Sequence, residues 1–368
     1  MTDRSIIPIG IVGLNYGRWI IEDLLDEKAA GHYFRLAAVS DLDSSRAQAM
    51  ADRTGARKMT FEQILTDPGI PSIGLFTGPS GRAGMIRRII RAGKDVMTTK
   101  PFELDVSEAI SVLEEARALG RIVHLNSPAP VLPPDLARIE QWHDEYALGH
   151  PIACRADTYA SYHEQADGTW YDDARRCPVS PVFRIGIYLI NDLVRLFGEP
   201  DAVQVLSSRI RTGRPTPDNA QLGIRFKNGA LANVFASLCI DDGQRWTNSL
   251  TLNYENGTIY RNIGPLAFDG GPEETTTLRL LARPEGTPHT EEVKFENRSG
   301  QYQWEAFHRA IGGETIETPV KELACALRVI CAMARAEKTG RTEPVDAMES
   351  PTEAADRQPP LGLNASQL

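Results

Sequence analysis

Apolar positions follow two rhythms along this chain. From residue 6 to about 125, short apolar or β-branched runs alternate with stretches of helical spacing, the pattern of a parallel sheet flanked by helices. Ile9 to Val12, Leu36 to Ser40, Ile73 to Phe76, Asp95 to Met97 and Arg121 to Leu125 read as strands. Trp19 to Glu27, Ser44 to Thr54 and Val106 to Leu119 read as helices, the second capped by Ser44 or Ser45 and the third stopped by Gly120. The proline-dense stretch Ser127 to Pro134 cannot continue a helix or a central strand, and a domain boundary is placed there.

Beyond it the rhythm changes. Asp135 to Tyr146, Val182 to Leu196, Trp304 to Ile311 and Val320 to Lys338 have helical spacing. Strand-like runs lie at Ile152 to Ala160, Val203 to Val205, Gln221 to Phe226, Leu231 to Leu238, Ser249 to Tyr254 and Leu278 to Leu281. Lys227-Asn228-Gly229 and Glu255-Asn256-Gly257 are hairpin signals, so this part is expected to be α+β with a large, mostly antiparallel open sheet. Residues from about Asp346 onward are polar and rich in Ser, Pro and Gln, and are expected to form a mobile tail. The expected organisation is residues 1–126, 127–345 and 346–368, in keeping with a length of 368 residues that exceeds one ordinary core.

Charge and composition narrow the partners. A net charge of -9 argues against nucleic acid and anionic membranes, which recruit basic surfaces. No apolar run approaches the roughly 20 residues of a membrane helix, and Met1-Thr2-Asp3-Arg4 does not open a secretory signal, so a cytoplasmic protein is expected. The five cysteines, Cys154, Cys177, Cys239, Cys325 and Cys331, are scattered and form no C-x-x-C pair, which implies reduced thiols and no metal site.

The first chemistry appears at Val12-Gly13-Leu14-Asn15-Tyr16-Gly17, between a strand and a helix. Gly13 permits a tight turn, Gly17 close helix–strand packing, and the helix N-terminus offers N–H groups to a pyrophosphate. Asn15 stands where a further glycine is usual, and with Tyr16 it completes the phosphate turn. The fold class is therefore α/β, with an N-terminal Rossmann doubly wound sheet. Asp41 ends the second strand where an acid accepts the adenine ribose, favouring NAD, while Arg46 keeps NADP open. Thr77-Gly78-Pro79-Ser80 either lines the cofactor crevice or is an ordinary turn.

With Gly93-Lys94, Lys100-Pro101, Gly186-Ile187-Tyr188-Leu189-Ile190-Asn191 and Gly198-Glu199-Pro200, the order of these pieces resembles the Gfo/Idh/MocA oxidoreductases from about Ile6 to Val345. The resemblance implies that Lys100 contacts substrate and nicotinamide ribose, that Arg82 lies near the crevice, and that the chain self-associates through its second sheet. The Gly-Ile-Tyr-x-x-Asn form looks like the glucose-fructose oxidoreductase and dimeric dihydrodiol dehydrogenase branch, in which tyrosine is the proposed acid/base, and so points to Tyr188. Thr99 replaces the acid of the usual E-K-P motif, and Arg184 the usual helix acid.

Oxidising a secondary alcohol needs a hydride acceptor and a base, and the protein must supply the base. Tyr188 is the expected acid/base, with Lys100 polarising the substrate oxygen and lowering the tyrosine's pKa. Arg184, four residues from Tyr188, either meets the phenol, binds an anionic substrate, or pairs with Asp192 on the same face. Trp170, Asn191 and Asn126 are further substrate contacts, with Trp170 alternatively packing between domains; His163 is a weaker one. The expected activity is NAD(P)-dependent hydride transfer to or from a sugar, glycoside, polyol or related cyclic compound, by a homo-oligomer. The competing expectation is a non-catalytic dinucleotide-binding regulator or scaffold.

Overall fold

The computed structural model describes residues 5–27, 30–243, 246–263, 275–296, 302–316 and 319–346; the expected tail from 347 onward lies outside them. In the first part, β1 (Ile7–Val12), β2 (Phe34–Ser40), β3 (Arg57–Lys58), β4 (Ser72–Leu75), β5 (Asp95–Thr98) and β6 (Val123–Leu125) alternate with α1 (Leu14–Leu25), α2 (Ser44–Thr54), α3 (Phe61–Thr66), α4 (Arg82–Arg91) and α5 (Val106–Ala118). All pairs run parallel in the order β3-β2-β1-β4-β5-β6. The four core residues of β4 and of β5 are all buried, because helices cover both faces of the sheet. The order reverses between β1 and β4, and a crevice opens at the carboxyl ends there.

Two local expectations are corrected. Helix α1 starts at Leu14 rather than Trp19, since the tight turn at Gly13 commits the chain to the helix at once. Helix α2 is capped by Asp43, whose carboxylate accepts from Ser45 N and Arg46 N, so neither Ser44 nor Ser45 is the cap. The short α3 and the amphipathic α4 complete the alternation; Thr60 and Gln63 form a reciprocal capping box on α3.

The second part contains α6 (Pro134–Glu145), β7 (Pro151–Tyr159), a π-turn over Val182–Gly186, α7 (Ile187–Phe197), β8 (Pro200–Ser208), β9 (Asn219–Phe226), β10 (Leu231–Ser237), β11 (Thr247–Tyr254), β12 (Gly257–Arg261), β13 (Thr275–Ala282), β14 (His289–Glu296), α8 (Trp304–Ile311), α9 (Val320–Thr339) and β15 (Glu343–Pro344). The strands form a nine-stranded sheet, β14-β13-β12-β11-β7-β10-β9-β8-β15, in which only the central β7 and β10 pair in parallel. Helices α6, α7 and α9 press Trp142, Ile190, Leu193, Val329 and Met333 onto one face, against Val205, Leu222, Val234, Leu252 and Leu278. The other face carries Ile152, Leu206, Leu231 and Leu281 at 44–72% exposure.

The chain does not finish in its second part. Trp304 and Phe307 of α8 pack on Phe34 of β2, with ring centroids 5.5 and 5.3 Å away, and Leu323 and Leu327 of α9 join the core of the first sheet. The terminal helices thus fasten the two sheets around one cleft.

Candidate active site

The cleft has a volume of about 3170 Å³ and runs from the β1–β4 crevice to the loops of the second part. At its first end the backbone of Gly13 turns at φ 89°, and a Cβ there would lie 2.7–2.8 Å from the backbone of Phe76 and Thr77. Only glycine fits. The N-cap Gly13 has no side chain to cap α1, and the first turn of the helix lines the cleft at Asn15 and Tyr16. Gly17 sits behind this wall, where a Cβ would meet Ile11 Cγ2 at 2.9 Å, which is the helix–strand packing role expected of it.

Asp41, at the end of β2, lines the same wall. Its Oδ2 accepts from Leu14 N at 2.7 Å, and its Oδ1 from Asp43 N at 2.8 Å and Arg46 Nη1 at 3.2 Å. The carboxylate thus joins the strand end to the helix N-terminus, and Arg46 is held at its outer edge. Thr77, Gly78, Pro79 and Ser80 follow β4 along the floor. Arg82 starts α4 and is almost fully buried; its guanidinium donates to the carbonyls of Thr77, Thr99 and Pro101 and to Thr98 Oγ1. Arg82 clamps two strand ends together through Nη1 and Nη2, which are spent on the protein rather than presented to a cofactor, while its Nε is buried without a partner among the described residues.

Lys100 follows β5 and is joined to Pro101 by a cis peptide. Its Nζ donates to the backbone carbonyl of Arg184 and lies 4.0 Å from the centroid of the Tyr188 ring. Burial, then the Arg184 and Arg82 charges, bring its amine down to about 7. The Tyr188 phenol accepts from Asn126 Nδ2 at 3.1 Å, and burial pushes its pKa well above the ordinary value of about 10. Lys100 therefore sits on the ring face, not at the hydroxyl, and the expected lowering of the tyrosine pKa is not what this arrangement gives. Both groups are held toward their neutral forms by the same burial.

Arg184 departs from each of its expected partnerships with Tyr188 and Asp192. The π-turn widens the helix by a residue at Val182–Gly186 and takes Arg184 off the face of α7. Its guanidinium makes two 2.7 Å bonds to Glu164 and lies over Tyr171 and Tyr162, at 4.4 and 4.9 Å. Asp192 instead receives Arg261 Nη2 at 2.8 Å, within a buried group that includes Asp135 and Asn248.

Trp170 lines the cleft and lies across it against Gly78, where a Cβ would meet its Cδ1 at 3.0 Å, so it packs between the two parts, one of the two expectations for it. Asn126 and Asn191 do not line the cleft. Asn126 lies behind Lys100 and Tyr188, with Thr99 Oγ1 and Lys100 N at 3.3 Å from its Oδ1, and Asn191 donates to Ser127 Oγ at 2.7 Å. Both support the wall from behind. His163 is largely exposed and bonds Arg211, away from the lining.

The structure adds residues that sequence reasoning missed. Glu164, Asp167, Asp172 and Arg214 form a charge cluster beside Arg184, and Tyr302 from the segment before α8 reaches the cleft near Tyr16, Tyr188 and Thr99. Nothing in their spacing marks them, since they come together only when the loop after β7, the hairpin before β9 and the terminal segment converge. Among the described residues, no group of three or more His, Cys, Asp or Glu could hold a metal, the cysteines are all free, and no helix is long and apolar enough to cross a membrane.

A doubly wound sheet whose glycine turn and strand-end acid, Asp41, open onto a cleft, faced from the far side by an antiparallel sheet, has the architecture of a dinucleotide-binding protein. The chain belongs to the Gfo/Idh/MocA oxidoreductase family. Its profile for the oxidoreductase family NAD-binding Rossmann fold matches residues 7–127, and that for the GFO/IDH/MocA C-terminal domain matches residues 136–260. The chain is similar to the inositol 2-dehydrogenase/D-chiro-inositol 3-dehydrogenase of Lactiplantibacillus plantarum, 21% identical over 62% of this chain and 66% of that protein. The scyllo-inositol 2-dehydrogenase (NAD(+)) of Bacillus subtilis is 24% identical over 63% of this chain and 66% of its own length. The matched segments thus span just under two thirds of these relatives. In fold, the chain is similar to the aldose-aldose oxidoreductase of Caulobacter crescentus, with TM-score 0.71 and 20% identity over 92% of this chain and all of that one.

Proposed function

We propose that this chain is an NAD(P)-dependent dehydrogenase or reductase that moves a hydride between nicotinamide, preferably of NAD, and a secondary alcohol or carbonyl of a sugar, glycoside, polyol or related cyclic compound. The observation that carries this reading is the Lys100 amine, brought down to about 7, lying 4.0 Å over Tyr188 in the crevice. Family membership supports redox chemistry, and the inositol and aldose activities of its relatives support the substrate class.

The residues present fit a dinucleotide: the Gly13 backbone leaves no room for a side chain, Gly13 places none over the first turn of α1, and Asp41 is fixed at the strand end. Gly13, Asn15 and Tyr16 would hold the pyrophosphate, Asp41 the adenine ribose, and Thr77, Gly78, Pro79, Lys100 and Pro101 the nicotinamide half. Nicotinamide, when bound, supplies the hydride acceptor or donor. The neutral Lys100 amine takes the hydroxyl proton at Nζ in oxidation, and the Tyr188 phenol, held by Asn126, donates to the substrate oxygen. Trp170 and Tyr162 offer ring faces to the C–H surface of a sugar. Arg184 and Arg214 are neutralised by Glu164, Asp167 and Asp172, which favours an uncharged substrate. The uncovered face of the nine-stranded sheet is the proposed self-association surface.

The test is a panel of inositols, aldoses, glycosides and other polyols, monitored by nicotinamide absorbance with NAD and with NADP. Turnover on a neutral member, lost in Tyr188→Phe and Lys100→Met with cofactor binding intact, supports the assignment. Cofactor binding without turnover anywhere on the panel would replace it with the regulator or scaffold reading.

A further inference from the structure

We propose that Glu164 is a positioning residue of this site: its carboxylate anchors the Arg184 guanidinium to the second-domain wall and so limits the positive charge felt by the Lys100 amine. The proposal rests on the acid/base role proposed for Lys100.

Arg184 contacts both Lys100 and Glu164. Its backbone carbonyl accepts Lys100 Nζ, while its guanidinium, 11% exposed, points the other way and makes two 2.7 Å bonds to Glu164. The rings of Tyr171 and Tyr162 fix its planar group from the sides. Glu164 is itself the junction of the cluster: the oxygen that receives Arg184 Nη1 also receives Arg214 Nε at 2.8 Å, and Arg214 continues to Asp167 and Asp172 at 2.8–3.0 Å. The loop that carries Glu164 is pinned by its carbonyl, which accepts Gly213 N at 2.9 Å.

The electrostatic consequence follows from what faces Lys100. Arg82 comes from α4, Arg184 and Tyr188 from the π-turn and α7, and Cys177 from the loop before them, with the uncharged Asn126 behind. Arg82 is fixed by backbone carbonyls and has no carboxylate bonded to it. Arg184 is the cation whose charge is balanced by a direct ion pair, and no acid lies within one turn of it on its own helix. A guanidinium buried without its counterion is costly and depresses a neighbouring ammonium further. Glu164 holds that effect in check.

The experiment uses the full-length protein and reads Lys100 in two ways. Without cofactor or substrate, the pH dependence of Lys100 acetylation by acetic anhydride, followed by peptide mass spectrometry, gives the midpoint of the amine. With substrate, the acidic limb of kcat/KM for oxidation gives the same group in action. Glu164→Gln, which keeps the shape and removes the charge, is expected to move both midpoints to lower pH by about one unit. Arg184→Met is expected to move them to higher pH, and Glu164→Gln added to it to have no further effect. Glu164→Asp, which retains the charge, is expected to stay near the wild-type midpoint and covers the case in which Arg184→Met fails to fold. A lower melting temperature for Glu164→Gln with both midpoints unmoved, or the same shift in the Arg184→Met background, overturns the proposal. If no substrate turns over, the acetylation arm still decides: a shifted midpoint there leaves Glu164 its role and removes only the hydride-transfer reading.

Discussion

Lys100 lies on the face of the Tyr188 ring, with Nζ 4.0 Å from the centroid, rather than against the phenol oxygen, which instead accepts from Asn126. The ammonium gains from the ring quadrupole in this position, yet burial outweighs that gain and leaves the amine at about 7. The hydroxyl, whose pKa is raised, stays protonated.

This relationship makes the pH profile diagnostic. A group whose amine falls to about 7 is charged below that pH and neutral above it. If the neutral amine takes the substrate proton, oxidation rises with pH through about 7 and then levels, whereas reduction is favoured on the acid side. If Tyr188 were the base, the rise would come only above its ordinary pKa of about 10. The profile of kcat/KM in both directions separates the two, and Lys100→Met is expected to abolish the limb near 7 along with most of the activity.

Tyr188→Phe removes the hydroxyl and leaves the ring under Lys100. Losing one acid/base partner is expected to lower kcat about 100-fold, with NADH affinity unchanged in a fluorescence titration. A comparable loss of NADH binding would place Tyr188 in the cofactor wall instead.

Asp41 tests the dinucleotide preference. Asp41→Ala removes the ribose acceptor and leaves Leu14 N without its 2.7 Å partner. NADH is expected to bind at least about tenfold more weakly, since a hydrogen bond to a charged group is worth ~1.5–3 kcal/mol. NADPH loses less, because Arg46 is freed from the carboxylate it pairs with at 3.2 Å. Titration of both cofactors against wild type and variant reads the ratio directly.

Arg261 is 1% exposed and joins Asp135 and Asp192 from two helices. Arg261→Met leaves two buried carboxylates without their cation, and is expected to destabilise the fold by about 3–5 kcal/mol at neutral pH. Burial raises Asp192 to about 6, above its unfolded value, so its protonated form favours the folded state. In the variant Asp192 also loses the two Arg261 effects that lower it and so titrates higher still; part of the lost stability should therefore return as pH falls from neutral toward about 4, which denaturant melts at two pH values will show.

The uncovered sheet face gives a separate prediction. Leu206 and Leu231, 72% and 57% exposed, sit on it far from the helices. Leu206→Asp with Leu231→Asp is expected to shift the protein to a smaller species in light scattering while leaving its melting transition cooperative. An unchanged mass would move the self-association surface elsewhere.

Most of the first sheet was legible because its longer strands carry their own signal: Ile9 to Val12 is continuously apolar, and Gly13 marks the turn that ends it, whereas the two-residue β3 and the helices α3 and α4 were not read. Small errors came from geometry that propensity does not record. Leu14 starts α1 because a Gly13 φ of 89° turns the chain there, and Asp43 outcompetes two serines because its carboxylate reaches two backbone N–H groups. In the cleft, Lys100, Tyr188, Asp41 and Trp170 could be named from motif and spacing. Glu164, Arg214 and Tyr302 could not, since each is brought in by a loop whose path depends on packing far away in the chain.

Arg184 shows where the limit lies. Ideal helical spacing put it on one face with Tyr188 and Asp192, but the π-turn at Val182–Gly186 turns it toward Glu164 and gives Asp192 to Arg261. The sequence by itself determined the two sheets, the dinucleotide turn and the lysine and tyrosine of the cleft, because those depend on periodicity and on what glycine alone can do. Only the tertiary structure decided how the charges pair and which way the amine and phenol titrate. Those depend on burial and on distances of a few ångströms between segments far apart in the chain.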